Sequence, residues 1–149
     1  NYRMTDFQAA LATSQLNKLE KFVARRREIA QKYDELFRSS EFIRINQEMF
    51  RKSSSLHLYT IEIDFAEVGV NRGDFMRKLA ARGVGSQVHY IPVPSHPFYQ
   101  ARGFCTLDYP VAMAYYERCL SIPIFYSLSD SDVVLVAENV TDLLESEHR

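Results

Sequence analysis

The 149-residue sequence predicts an α+β domain, a small sheet covered by helices with a long helical lead-in. Three observations predict it. Apolar residues recur at helical spacing over the first 38 residues, with no Gly or Pro among them. Short β-branched and aromatic runs appear later, each bounded by polar or turn residues. Further amphipathic stretches alternate with those runs.

The elements follow in order. Thr5 and Gln8 have the spacing of a capping box, with Asp6 in the first turn where the helix dipole favours a negative charge. Leu11, Leu16, Leu19, Phe22, Val23, Ile29, Ala30, Tyr33, Leu36 and Phe37 continue a face at spacings of mostly three or four. One long helix fits this pattern, and so do two helices meeting near Leu16 to Lys18. The face carrying Leu11, Leu16, Leu19 and Phe22 is expected to lack a partner within the chain. Phe42–Ile45 reads as a short strand, Arg51–Ser55 as a polar loop and His57–Asp64 as the strongest strand. Asn71–Arg82 reads as a helix with Phe75, Met76, Leu79 and Ala80 inward, stopped by Gly83. Ser86–Tyr90 reads as a strand, and Ile91–Gly103 as a loop with Pro92, Pro94 and Pro97. Pro110 is placed to start a helix over Val111–Cys119. Ser121–Phe125 reads as an edge or bent strand because of Pro123. Ser129 starts a last helix with Val133, Leu135, Val136, Val140, Leu143 and Leu144 on its apolar side, and residues 145–149 are expected to fray. The division this suggests is a helical lead-in at 1–38, packing on something beyond the chain, and an α+β domain at 39–149.

Composition narrows the function. Hydrophobic residues at 46% and charged residues at 25% are globular values, so disorder of the whole chain is excluded. A net charge of −1 gives no basic field to hold a nucleic-acid backbone. Cys105 and Cys119 form neither a disulfide framework nor a CxxC pair, which leaves no zinc ligand set and suggests a reducing, cytoplasmic home. No apolar run is long enough to cross a bilayer as a helix. The chain opens Asn1-Tyr2-Arg3-Met4 without an initiator Met, so it is expected to be a piece of something longer.

Candidate chemistry is sparse. There is no Gly-rich phosphate loop, nucleophile elbow or HExxH helix. His57, starting a strand, reads as a surface residue, and His148 as a solvated tail residue. His89, just before the proline loop, suits a site and a packing role equally; so does His96 within that loop. Tyr90, Phe98, Tyr99, Phe104, Tyr109, Tyr115, Tyr116, Phe125 and Tyr126 read first as core and rim, and second as stacking surfaces for a ring-shaped ligand. Arg25, Arg26 and Arg27 read as a solvated or interfacial face. Asn1, Tyr2 and Arg3 precede a helix N-terminus, where an anion site and a simple capping loop are both reasonable.

The stretch from Asn1 to Ala10 (NYRMTDFQAA) resembles a segment of the DegT/DnrJ/EryC1/StrS sugar aminotransferases. Ser14-Gln15-Leu16, Arg25–Ala30, Val88–Val93 (VHYIPV), His96–Tyr99 (HPFY), Leu120–Phe125 (LSIPIF) and Leu128-Ser129-Asp130 resemble the same family in order and spacing. The VHYIPV form is most similar to the branch that aminates UDP-linked keto-deoxy-hexosamines. The resemblance implies the C-terminal small domain of a fold-type I enzyme that uses pyridoxal 5'-phosphate. It implies a homodimer, glutamate as amino donor and a nucleotide-linked keto-deoxy sugar as acceptor. By the same resemblance Asn1 reaches the cofactor phosphate, Arg3 faces a carboxylate or phosphate of the substrates, and His89, Tyr90 and His96 edge the sugar-nucleotide pocket. Pro94 stands where many relatives have a histidine, so that contact does not carry over. Lys18, Lys21, Lys32, Lys52 and Lys78 all read as surface residues, and none suits the Schiff-base lysine, which is expected upstream. The chain alone is therefore expected to be inactive. The alternative is a standalone small-ligand binding or dimerisation module.

Overall fold

The structure is a computed structural model that describes residues 2–45 and 53–148. Helix α1 spans Asp6–Leu16. The capping box is formed: the Gln8 amide donates to Thr5 Oγ1 at 3.3 Å, and the Thr5 amide donates to Gln8 Oε1 at 2.9 Å. None of the α1 residues is buried. The lead-in is two helices, the second being α2 at Leu19–Phe37. Between them the Lys18 amide bonds to the Gln15 carbonyl three residues back, a tight turn that re-aims the chain. Leu11, Leu16 and Leu19 are exposed, as is Phe7 at 82%, while Phe22 is half-buried with its ring 4.4 Å from that of Tyr126.

Helix α2 has the stronger face. Ile29, Ala30, Tyr33 and Phe37 lie in the core, spaced three or four apart. They pack against α7, which spans Asp130–Glu147, and Tyr33 also lies 4.9 Å from Tyr59 of the sheet. Two buried polar groups join this seam. The Tyr59 hydroxyl donates to Asp34 Oδ1 at 2.8 Å, and the Tyr33 hydroxyl donates to the Pro123 carbonyl at 2.9 Å. Burial pushes the Tyr33 phenol above its usual value.

The sheet is antiparallel, in the order β1 (Ile43–Arg44), β2 (Tyr59–Ile63), β3 (Cys119–Ile122). Ile43 pairs with Ile63, and Ile61 with Leu120. All four β3 residues are buried, and so are Tyr59, Thr60, Ile61 and Ile63 of β2. The expected strand at Ser86–Tyr90 is corrected to a single bridge between Gln87 and Ser121. Continuing that register would set Pro123 opposite Gly85, and Pro123 has no amide to donate to a ladder. Part of the expected polar loop, Arg51 and Lys52, lies outside the described residues.

Helix α3 (Phe65–Val68) ends at Gly69, whose φ of +82° favours glycine. Helix α4 (Arg72–Ala81) starts on Asn71, whose side chain accepts from the Gly73 amide at 2.8 Å, and Gly83 follows it with positive φ as expected. Phe75 and Leu79 are buried and Met76 half-buried, but Ala80 is exposed, because the packed stripe is only as wide as the i, i+4 pair. The proline loop holds a 3₁₀ turn at Val93–Ser95 and a short helix α5 at Pro97–Gln100; a second 3₁₀ turn at Thr106–Asp108 precedes α6. Helix α6 is Pro110–Arg118, and Cys119 belongs to β3.

Helix α7 is capped by Ser129, whose Oγ accepts from the Asp132 amide at 3.1 Å while Asp132 Oδ2 accepts from the Ser129 amide. Leu135 is exposed rather than inward; Val133, Val136, Ala137 and Val140 form the buried stripe. The expected fraying is also corrected. The helix runs to Glu147, held by buried Leu143 and Leu144 and by Lys78 Nζ at 2.5 Å from Glu147 Oε1. The His148 ring stands 4.9 Å from that of Phe42.

The arginine run is not a free face. Arg25 donates to Glu28, to the Leu128 carbonyl and to Asp130, and Arg27 donates to the Ser54 carbonyl. Lys32 and Arg25 together hold the Asp130 carboxyl below its usual value. A lowered folded-state value means the stabilisation is complete above the unfolded-state value and lost as pH falls through the folded one. Urea unfolding midpoints should therefore fall with acidification, and less steeply for Asp130→Asn than for the parent chain. Equal slopes for the two would remove Asp130 from the acid response.

Candidate functional site

Asn1 lies outside the described residues. Arg3 sits in the segment ahead of α1, with its side chain exposed. The capping box already engages the Thr5 and Gln8 amides, so an anion at this opening would be met by the Arg3 guanidinium rather than by those two donors.

His89 and Tyr90 stand together just after Gln87, the residue that bridges to Ser121 of β3. Their rings meet edge to face at 4.6 Å, and the peptide between them is cis. His89 is half-buried, with Nδ1 2.8 Å from Ser121 Oγ; Tyr90 is 72% exposed. His96 is exposed, and its carbonyl caps α5 by accepting from the Tyr99 and Gln100 amides. Neither Arg3 nor His96 takes part in the His89–Tyr90 contact.

A cavity of about 260 Å³ lies beside His89, lined also by His57, Ser86, Gln87 and Ser121. Ser121 was not singled out from the sequence, and His57 reads there as a surface residue. Ser121 is separated from His89 by 32 residues, and only a fold brings them together. The one available signal was a polar residue between Leu120 and Ile122 in an apolar run.

The aromatic cluster is rim, not core. Among the nine aromatics singled out, none is buried. Tyr99, Phe104 and Tyr109 join Pro92, Val93 and Pro94 around an apolar hollow of about 270 Å³. Arg102 stacks on Phe98, 3.5 Å from its ring centre.

A cofactor that forms an imine needs an amine in a cavity. Lys18 and Lys21 are exposed, Lys32 pairs with Asp130, and Lys78 pairs with Glu147. Lys52 lies outside the described residues. The described residues therefore do not make up a pyridoxal phosphate site by themselves. Among them, no three His, Cys, Asp or Glu residues cluster as metal ligands, and no helix is long and apolar enough to cross a membrane. Cys105 is exposed and Cys119 buried, both as free thiols; burial raises the Cys119 thiol above its usual value.

The fold and sequence have close counterparts. The spore coat polysaccharide biosynthesis protein SpsC of Bacillus subtilis (strain 168) is 38% identical over 144 residues, which is 95% of this chain and 37% of SpsC. The Helicobacter pylori aminotransferase PseC, involved in the biosynthesis of pseudoaminic acid, superposes with a TM-score of 0.88 at 29% identity, covering 98% of this chain and 39% of PseC. Spr1654 of Streptococcus pneumoniae, solved in apo, PMP and PLP forms, superposes at 0.87 with 31% identity, over 97% of this chain and 36% of its own. The chain thus spans somewhat over a third of the relatives it matches, as a C-terminal part of a fold-type I enzyme would. Pyridoxal phosphate is the cofactor of such aminotransferases. The family model for DegT/DnrJ/EryC1/StrS aminotransferases matches residues 1–141, and this chain belongs to that family.

Proposed function

We propose that this chain is the C-terminal part of a pyridoxal phosphate-dependent nucleotide-sugar aminotransferase that moves an amine from glutamate to a keto group on a nucleotide-linked deoxy sugar. The carrying observation is the family match over residues 1–141 in a chain whose described lysines are all exposed or ion-paired. The cofactor supplies the electron sink when bound, and the lysine that holds it would come from the preceding part of the protein. On this reading the chain alone does not transaminate.

Its own residues would bind and orient. Asn1 would donate its amide to the cofactor phosphate, adding no charge. Arg3 would grip a donor carboxylate or a nucleotide phosphate through its planar fork. His89, Tyr90 and His96 would border the sugar-nucleotide pocket. The exposed apolar side of α1 supports a homodimer or large-domain contact there, since Phe7, Leu11 and Leu16 have no cover within the described residues. A cytoplasmic location agrees with the free thiols.

Two measurements test this reading. Sequencing upstream of Asn1 should reveal an in-frame, domain-sized extension carrying the lysine. In that longer protein, Arg3→Ala should lower kcat/KM by roughly 10- to 100-fold, the worth of one charge-assisted contact. Asn1→Ala should weaken cofactor retention with the fold intact. Unchanged kinetics and cofactor affinity in both variants would remove the opening segment from the site.

A further inference from the structure

We infer that Ser121 fixes His89 as the tautomer that carries its proton on Nε2, so that His89 offers a hydrogen-bond donor to an acceptor oxygen of its ligand. This deepens the proposed role of His89 and rests on that reading for the ligand, though not for the tautomer.

Ser121 is 5% exposed and lies within β3. Its backbone is held from both sides. It faces Thr60 of β2 in the register, and it exchanges two hydrogen bonds with Gln87, at 2.8 Å from its amide and 3.0 Å to its carbonyl. Among the described residues the hydroxyl has one side-chain partner, His89 Nδ1 at 2.8 Å.

Proton accounting then decides the direction. A hydroxyl has one proton to donate and must place it on an acceptor when buried. Were His89 Nδ1 protonated, it would donate to Ser121 Oγ, and the Ser121 proton would need another acceptor. Among the described residues Ser121 Oγ has no second hydrogen bond, to side chain or backbone. With Nδ1 as acceptor, both groups are satisfied and the imidazole proton sits on Nε2. The second nitrogen of a histidine is set in this way by the bond its first nitrogen makes. His89 and Ser121 line the same cavity, which makes that cavity the place to look for the acceptor. A hydroxyl, carbonyl or phosphate oxygen fits an Nε2–H donor; an ammonium or an amide N–H does not.

Ser121 is thus a positioning residue. The test is long-range ¹H–¹⁵N correlation of the histidine rings in this chain at mildly alkaline pH. In the parent chain the His89 Nδ1 resonance should lie upfield of a bare basic ring nitrogen, as for a nitrogen accepting a hydrogen bond, with the proton on Nε2. In Ser121→Ala the Nδ1 resonance should move to the bare position. Ser121→Thr, which keeps the hydroxyl, should restore the parent shift. A proton on Nδ1 in the parent chain would overturn the assignment, and so would an Nδ1 shift unaffected by Ser121→Ala. The parent measurement decides the point even where the alanine variant does not fold. Either outcome is independent of whether the longer protein transaminates, so failure of the aminotransferase reading would register separately.

Discussion

A chain beginning at Arg38 is expected not to fold, while one beginning at Lys18 is expected to melt within about 2 °C of the parent. The contrast follows from where the two lead-in helices put their side chains. Helix α1 buries none of its residues, and surface changes of that kind are usually worth within ~0.5 kcal/mol. Helix α2 places Ile29, Tyr33 and Phe37 in the core with essentially no exposure. Each fully buried apolar side chain is worth about 1.5–3 kcal/mol. Losing the set is therefore comparable with a whole domain stability of about 5–15 kcal/mol. The Asp34 contact to the Tyr59 hydroxyl and the Tyr33 contact to Pro123 would go with it. Far-UV circular dichroism and urea unfolding decide the matter. A cooperative transition in the chain starting at Arg38 would mean that the α2–α7 seam is dispensable.

Phe75→Ala is expected to destabilise the chain by about 3–5 kcal/mol, the usual cost of deleting a phenyl ring from a packed interior. Phe75 is fully buried on α4, meets Phe65 edge to face at 5.6 Å, and belongs to the helix that packs on α7. For a domain of this length the loss should lower the melting temperature by on the order of 10 °C. Ala80→Ser, five residues along the same helix, should stay within about 0.5 kcal/mol because Ala80 is exposed. Calorimetry on the two variants separates the packed stripe from its neighbour. Similar losses in both would mean that α4 is buried more broadly than its Phe75–Leu79 stripe.

Local chemistry was the legible part of the fold. Thr5 with Gln8, Asn71, Gly83, Pro110 and Ser129 mark helix ends through bonds or dihedrals confined to a few residues. A family resemblance carried the rest of the architecture. What did not read through were decisions made across the chain. Periodicity admitted a break near Leu16 to Lys18 without choosing it over one long helix, because the break separates a helix that packs on α7 from one that buries none of its residues. Ser86–Tyr90 has strand composition, yet its pairing depended on Pro123 far downstream. Arg25 read as solvated or interfacial, and only the fold placed Asp130 and the Leu128 carbonyl beside it. Periodicity also admitted Leu135 and Ala80 to faces that packing made narrower. In the site, His89 was visible as a residue at the edge of the proline loop. Its partner Ser121 was not, since only tertiary structure makes the two adjacent.

The way the sheet ends also governs what the chain does at high concentration. An open strand with free amides and carbonyls is a template for another chain, and long flat edges are where amyloid-like stacking starts. Here β1 is two residues long, and the outer side of β3 is engaged at Ser121 by Gln87 and interrupted next to it by Pro123. Neither offers a run of backbone groups for a foreign strand. Aggregates of this chain should therefore stay helical and reversible, growing through greasy contacts of α1 rather than through cross-β fibrils. Thioflavin should remain dark in samples that light scattering reports as associated.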